Sequence, residues 1–126
     1  MVLLDGAGYD LPSVMKTSHG QHLKLYREVF GNVPAQLKAA SPIHHFKKGR
    51  SSPPYLIIPI ASRKITITQS KNLAEKIKTV GGKATVFIAK NRTHMTLNKQ
   101  IGEPGDAPTK AILDFLTTQL KATRQK

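Results

Sequence analysis

The apolar positions of this chain follow two rhythms: short unbroken runs, and stripes that recur every three or four residues. The runs are MVLL (1–4), YLIIPIA (55–61) and KATVFIA (83–89). Runs this short, bounded by turn residues, are the pattern of strands covered on both faces in a parallel sheet. Pro59 has no backbone donor, which predicts a place at the sheet's periphery, near the strand end, or at an irregularity. The stripes predict helices. Leu73, Ala74, Ile77 and Val80 form the clearest one, over 68–80, and Gly81 and Gly82 end it. Ala111, Ile112, Phe115, Leu116 and Leu120 share a stripe near 107–120, with Asp106 or Thr109 as candidate caps. Leu23, Tyr26, Val29 and Phe30 predict a helix over 20–30 that stops at Gly31, and Pro34 fits the first turn of a second short helix. Residues 41–54, SPIHHFKKGRSSPP, read as loop.

Strands alternating with helices through short connections imply an α/β fold with a parallel sheet of about three strands. The 126 residues show no internal repeat and no linker, so one domain over 1–126 is expected. A three-stranded sheet leaves two edges of unpaired backbone groups. MVLL stands at the first residue, as though a preceding crossover were missing. These features predict a homo-oligomer, most simply a dimer through residues 1–12, or a missing amino-terminal half as partner.

Composition narrows the chemistry. There is no cysteine, which excludes a disulfide framework, a thiolate nucleophile and a cysteine metal cluster. The opening MVLLDGAGYD lacks the basic start and long apolar run of a secretory signal, and there is no run of 18 apolar residues. A cytoplasmic protein with no membrane segment is expected. The formal net charge is +13, and it is uneven: residues 1–40 hold four Lys/Arg against three Asp/Glu, residues 41–126 sixteen against four. Such a field promotes non-specific association with anionic surfaces. The basic residues are dispersed through KKGR, SRK and the tail TRQK, and few aromatic residues are present for base stacking, so specific nucleic-acid binding is disfavoured.

One histidine stands out by its place. Parallel sheets put their sites outside the carboxyl ends of the strands. DGAGYD, SRKIT and KNRTH should all reach that edge, which sets His94 where a general base could work. A lone loop histidine is more often structural, and His19, His22, His44 and His45 carry less weight still. A serine hydrolase also needs an activated oxygen and an orienting carboxylate. No Gly-x-Ser-x-Gly elbow occurs in residues 1–126, and no Asp or Glu lies between Tyr55 and Ala74. No zinc spacing or nucleotide fingerprint is present, so no metal and no cofactor is expected.

GYDLP (8–12), ASPIHH (40–45), PPYLII (53–58), RTH (92–94) and IGEPGD (101–106), in this order and spacing, resemble the carboxyl-terminal half of an α/β-hydrolase. The likeness is to esterase/lipase-like carboxylesterases akin to feruloyl esterases and arylformamidases, and runs from Val2 to about Leu120. It implies a partial α/β-hydrolase fold, a lid-like helical insertion over 13–46, and His94 at the family's general-base position. It also implies a nucleophile elbow and oxyanion donors upstream of Met1, and an acid after YLIIPIA. There this chain has Ser62, Arg63, Lys64 and Ile65. The expected function is that of an esterase-like fragment or remnant, inactive alone. The alternative is a non-enzymatic interaction or binding domain with a basic face.

Overall fold

The computed structural model describes residues 1–124. The three apolar runs form β1 (Val2–Leu4), β2 (Tyr55–Ile58) and β3 (Ala84–Val86), all parallel and in the order β1-β2-β3. Val2 and Leu4 pair with Leu56 and Ile58, while Tyr55 and Ile57 pair with Ala84 and Val86. The ladder continues past β2 through a single bridge between Ile60 and Ala89. Pro59 sits at that point. It takes part through its carbonyl, which accepts the Ala89 amide at 2.9 Å, so its missing donor costs no ladder bond.

The helices are α1 (Leu11–Thr17), α2 (Gly20–Phe30), α3 (Pro34–Ala39), α4 (Lys64–Thr79), α5 (His94–Lys99) and α6 (Ala107–Arg124), with a 3-10 turn at Pro42–His45. The last two residues of the basic TRQK tail lie outside the described residues. β2 explains its own composition, because its side chains alternate between two cores. Tyr55 and Ile57 pack with Leu73, Ala74 and Ile77 of α4, while Leu56 and Ile58 pack with Leu97, Ile112 and Phe115 of α5 and α6. Ile57, Ile58 and Ile77 are completely buried. A strand covered on both faces has no reason to alternate with polar residues.

Several predicted details differ. α4 begins at Lys64 rather than 68, because its first turns bury polar residues, Thr66 and Gln69, which carry no apolar periodicity. α1 and α5 fall where the apolar pattern predicts no helix. α5 has six residues and is set by a capping box in which Thr93 and Thr96 exchange hydrogen bonds. The first amides of α1 are bound from far away: Gln69 Oε1 accepts from Asp10 N at 2.8 Å and Ser41 Oγ from Leu11 N at 2.8 Å. Ser41 Oγ also donates to Leu37 O, so one buried hydroxyl ties α1 to α3.

The apolar stripe of α6 is only half used. Ile112 and Phe115 pack on the sheet, whereas Leu116 and Leu120 are exposed. Length accounts for this. An 18-residue helix extends about 27 Å, against roughly 10 to 13 Å for strands of three or four residues. α2 buries no residue at all, although Tyr26 and Phe30 stack on one another. Among the described residues, no helix is long and apolar enough to cross a membrane.

Candidate functional site

Because the strands are parallel, the loops that leave β1, β2 and β3 emerge at one edge of the sheet. Asp5 is the first residue after β1, Arg63 follows the Ile60 bridge beyond β2, and His94 opens α5 after β3. These three side chains meet. Asp5 Oδ2 lies 2.7 Å from an Arg63 guanidinium nitrogen and 3.0 Å from His94 Nδ1. Its other oxygen accepts from the Ile60 amide at 3.2 Å and from Thr66 Oγ1 at 3.0 Å.

The backbone sets this up. Asp5 donates its own amide to Ile58 O at 2.8 Å, which closes the β1 ladder, and then turns through φ +42°. Aspartate is one of the few residues other than glycine that enters this left-handed region readily. Asn91, with φ +55°, makes a similar turn between β3 and His94. The Asp5 side chain is fully buried, while the His94 side chain is 60% exposed. The Nδ1 edge of the imidazole is thus held by the protein, while most of the ring is open to solvent. Thr93 caps the helix that His94 starts, and Asn98 Nδ2 donates to His94 O at 2.8 Å, so the ring is held at a fixed position of the backbone.

Burial by itself would raise the Asp5 carboxyl. The hydrogen bonds from Arg63, the Ile60 amide, His94 and Thr66 more than offset it and hold the group below its ordinary range. Asp5 is therefore a carboxylate at neutral pH. Tyr9 feels the opposite effect: burial first, then the Asp5 charge, push its phenol up to about 12. Its hydroxyl has no hydrogen-bond partner among the described residues, and its ring covers Gly6, where a Cβ would overlap it. A second buried carboxylate, Asp106, caps α6. It accepts from the Thr109 amide at 2.7 Å and Thr109 Oγ1 at 2.6 Å, and pairs with Arg92 at 2.6 Å. This makes Arg92 and Asp106, from the RTH and IGEPGD motifs, a structural clamp that ties the start of α6 to the segment just before His94. Between the two candidate caps, Asp106 does the capping and Thr109 is its partner.

The expectation that His94 lacks a carboxylate partner is corrected by this geometry. The loop after β2 offers no acid, as its sequence requires, but one arrives from the loop after β1, 89 residues away in the chain. Sequence reasoning missed Asp5 although a signal was available: an acid directly after the first strand, at the same sheet edge as His94. The other histidines lie elsewhere. His44 stands 3.6 Å from Asp10, His45 hydrogen-bonds to Ala39 O, and His19 and His22 line a cavity beside α2. Among the described residues, no three His, Cys, Asp or Glu side chains are grouped as a metal site.

Comparison with solved structures finds a likeness to Thermogutta terrifontis esterase 2, in a structure where that enzyme is phosphoramylated by tabun. The TM-score is 0.53 at 23% sequence identity, over 79% of this chain and 35% of the esterase chain. No family model matches the chain, and no curated protein does. The chain thus spans about a third of the length of the esterase it resembles. At this identity the likeness is one of fold: three parallel strands with flanking helices, in a partial α/β-hydrolase arrangement.

Proposed function

We propose that this chain carries the acid–base part of a hydrolase-type site for carboxylic esters, in which Asp5 orients His94 as general base. The observation behind this reading is the hydrogen bond between Asp5 Oδ2 and His94 Nδ1 at 3.0 Å, formed at the carboxyl edge of a parallel sheet. A buried carboxylate on Nδ1 fixes the tautomer with its proton there, which leaves Nε2 as the acceptor that takes a proton from an attacking hydroxyl. The likeness in fold to an esterase agrees with this assignment.

The pair is not a complete catalyst. Acyl transfer needs a nucleophile and donors for the oxyanion, and no serine of residues 1–126 stands in an elbow context. On this reading those groups come from another segment or subunit, and the outer edge of β1, which pairs with no strand among the described residues, is where such a strand would dock. Arg63 adds a further restraint. It shares Oδ2 with His94, so part of the carboxylate's charge is already neutralised and less remains to stabilise an imidazolium.

Nitrogen-15 spectra of the histidine ring test the pairing. Neutral His94 should carry its proton on Nδ1, and Asp5→Asn should abolish that preference. The purified chain should hydrolyse short acyl esters only at a trace rate that His94→Ala leaves unchanged. A His94 tautomer indifferent to Asp5→Asn would defeat the orienting role. Robust turnover lost with His94→Ala would show instead that the chain holds its own nucleophile.

A further inference from the structure

A cavity of about 380 Å³ opens between α1, α2 and the start of α4, with Arg63 in its wall. This is within the size range of small-molecule sites, roughly 300 to 1,000 Å³. Its apolar wall includes Val14, Tyr26 and Ile65, and its polar wall includes Arg63, His19 and His22. No Asp or Glu among the described residues lines it. A hollow with an apolar body, one guanidinium, imidazole groups able to donate a hydrogen bond and no carboxylate selects for an anion with an apolar part.

Arg63 makes this more than a basic surface. One of its terminal nitrogens is held on Asp5 at 2.7 Å, which immobilises a guanidinium that is 40% exposed. A guanidinium offers five N–H donors in a fixed fork, so several remain after that contact, and the fork matches a carboxylate. His19 is the residue before α2 and gives that helix no side-chain cap, so its ring is not committed to the helix. His22 stands one turn further on, at the same wall. The overall charge of +13 adds a long-range attraction for anions.

We infer that this cavity binds a small organic carboxylate with an apolar body, held by Arg63, His19 and His22, and that it seats the acidic part of the ester on which the adjacent site acts. The second half of this inference rests on the reading of Asp5 and His94 given above. The first half does not. The ligand class follows from the lining: the apolar wall excludes a bare inorganic anion as the best fit, and the lack of acids disfavours a cation.

Benzoate serves as the probe, with benzamide as its neutral counterpart and inorganic phosphate as an anion without an apolar body. Titrated into the full chain and followed by amide and arginine side-chain NMR, benzoate should give saturable shifts at Val14, Thr17, His22 and Arg63. Benzamide and phosphate should bind roughly tenfold more weakly or worse, the scale of one lost charge-assisted hydrogen bond. Arg63→Gln should weaken benzoate by a similar factor. Because Arg63 also braces Asp5, the exposed pair His19→Gln/His22→Gln gives a second reading, and should weaken benzoate severalfold without altering the spectrum of the sheet. Equal binding of benzamide, equal binding of phosphate, an unchanged affinity in the double variant, or no saturable shift at these residues would each overturn the inference. The two proposals fail separately. Loss of benzoate binding with the His94 tautomer intact removes only the cavity's role, and benzoate binding with an indifferent tautomer removes only the catalytic one.

Discussion

Replacing Asp5 by asparagine separates the charge of the carboxylate from its shape. The side chain is fully buried and accepts four hydrogen bonds, two on each oxygen. Asparagine tolerates the φ of +42° found here, so the backbone need not move. It has only one oxygen, however. If the amide keeps its oxygen towards Ile60 and Thr66, its NH2 group confronts the donors of Arg63 and meets His94 only in the other tautomer, and the reverse orientation sets NH2 against the Ile60 amide instead. Hydrogen bonds to a charged group are worth about 1.5 to 3 kcal/mol each. Arg63 and His94 are 40% and 60% exposed, so solvent replaces much of what they lose and the lower end applies. A loss of about 2 to 3 kcal/mol at pH 7 is expected, which in urea moves the unfolding midpoint down by about 1 to 2 M. Acid removes the difference. The native carboxyl titrates below its unfolded value, so its stabilisation is present in full above the ordinary carboxylate range and is lost as pH falls through the native pKa. The gap between the two proteins should therefore be open at pH 7, begin to close only as pH falls into the ordinary carboxylate range at about pH 4, and be gone below the native pKa of Asp5. A gap under about 0.5 kcal/mol at pH 7, or one that persists in acid, would refute the reasoning.

Two further substitutions test the packing and the clamp at the start of α6. Ile77→Ala empties a completely buried position between α4 and the sheet and should cost about 2 to 5 kcal/mol in denaturant unfolding, whereas Leu120→Ser, on the exposed end of α6, should change stability by less than about 0.5 kcal/mol. Asp106→Ala removes the α6 cap and leaves the partly buried Arg92 without its carboxylate; a loss of about 2 to 4 kcal/mol is expected, and a change under about 1 kcal/mol would mean that the clamp contributes little.

What the sequence determined by itself is what local periodicity can encode. Three apolar runs named the three strands, because a strand covered on both faces, as β2 is, has little reason to alternate with polar residues, and three stripes named α2, α4 and α6. The edge rule for parallel sheets placed His94 at the carboxyl edge of the sheet. Burial along α6 was not legible, since the stripe of Leu116 and Leu120 continues beyond the end of a short sheet and nothing in a helix's periodicity records how long its neighbour is. The start of α4 and the whole of α1 depend on polar residues, Thr66, Gln69 and Ser41, whose burial follows from partners 30 to 61 residues distant. The resemblance implies an acid after YLIIPIA, whereas the carboxylate that meets His94 comes from the loop after β1. Tertiary structure alone decided that Asp5 would be the carboxylate on His94, because that contact exists only where the ends of β1 and β3 are brought to one edge on either side of β2, and a hydrogen bond across 89 residues leaves no trace in the spacing of either partner's neighbours.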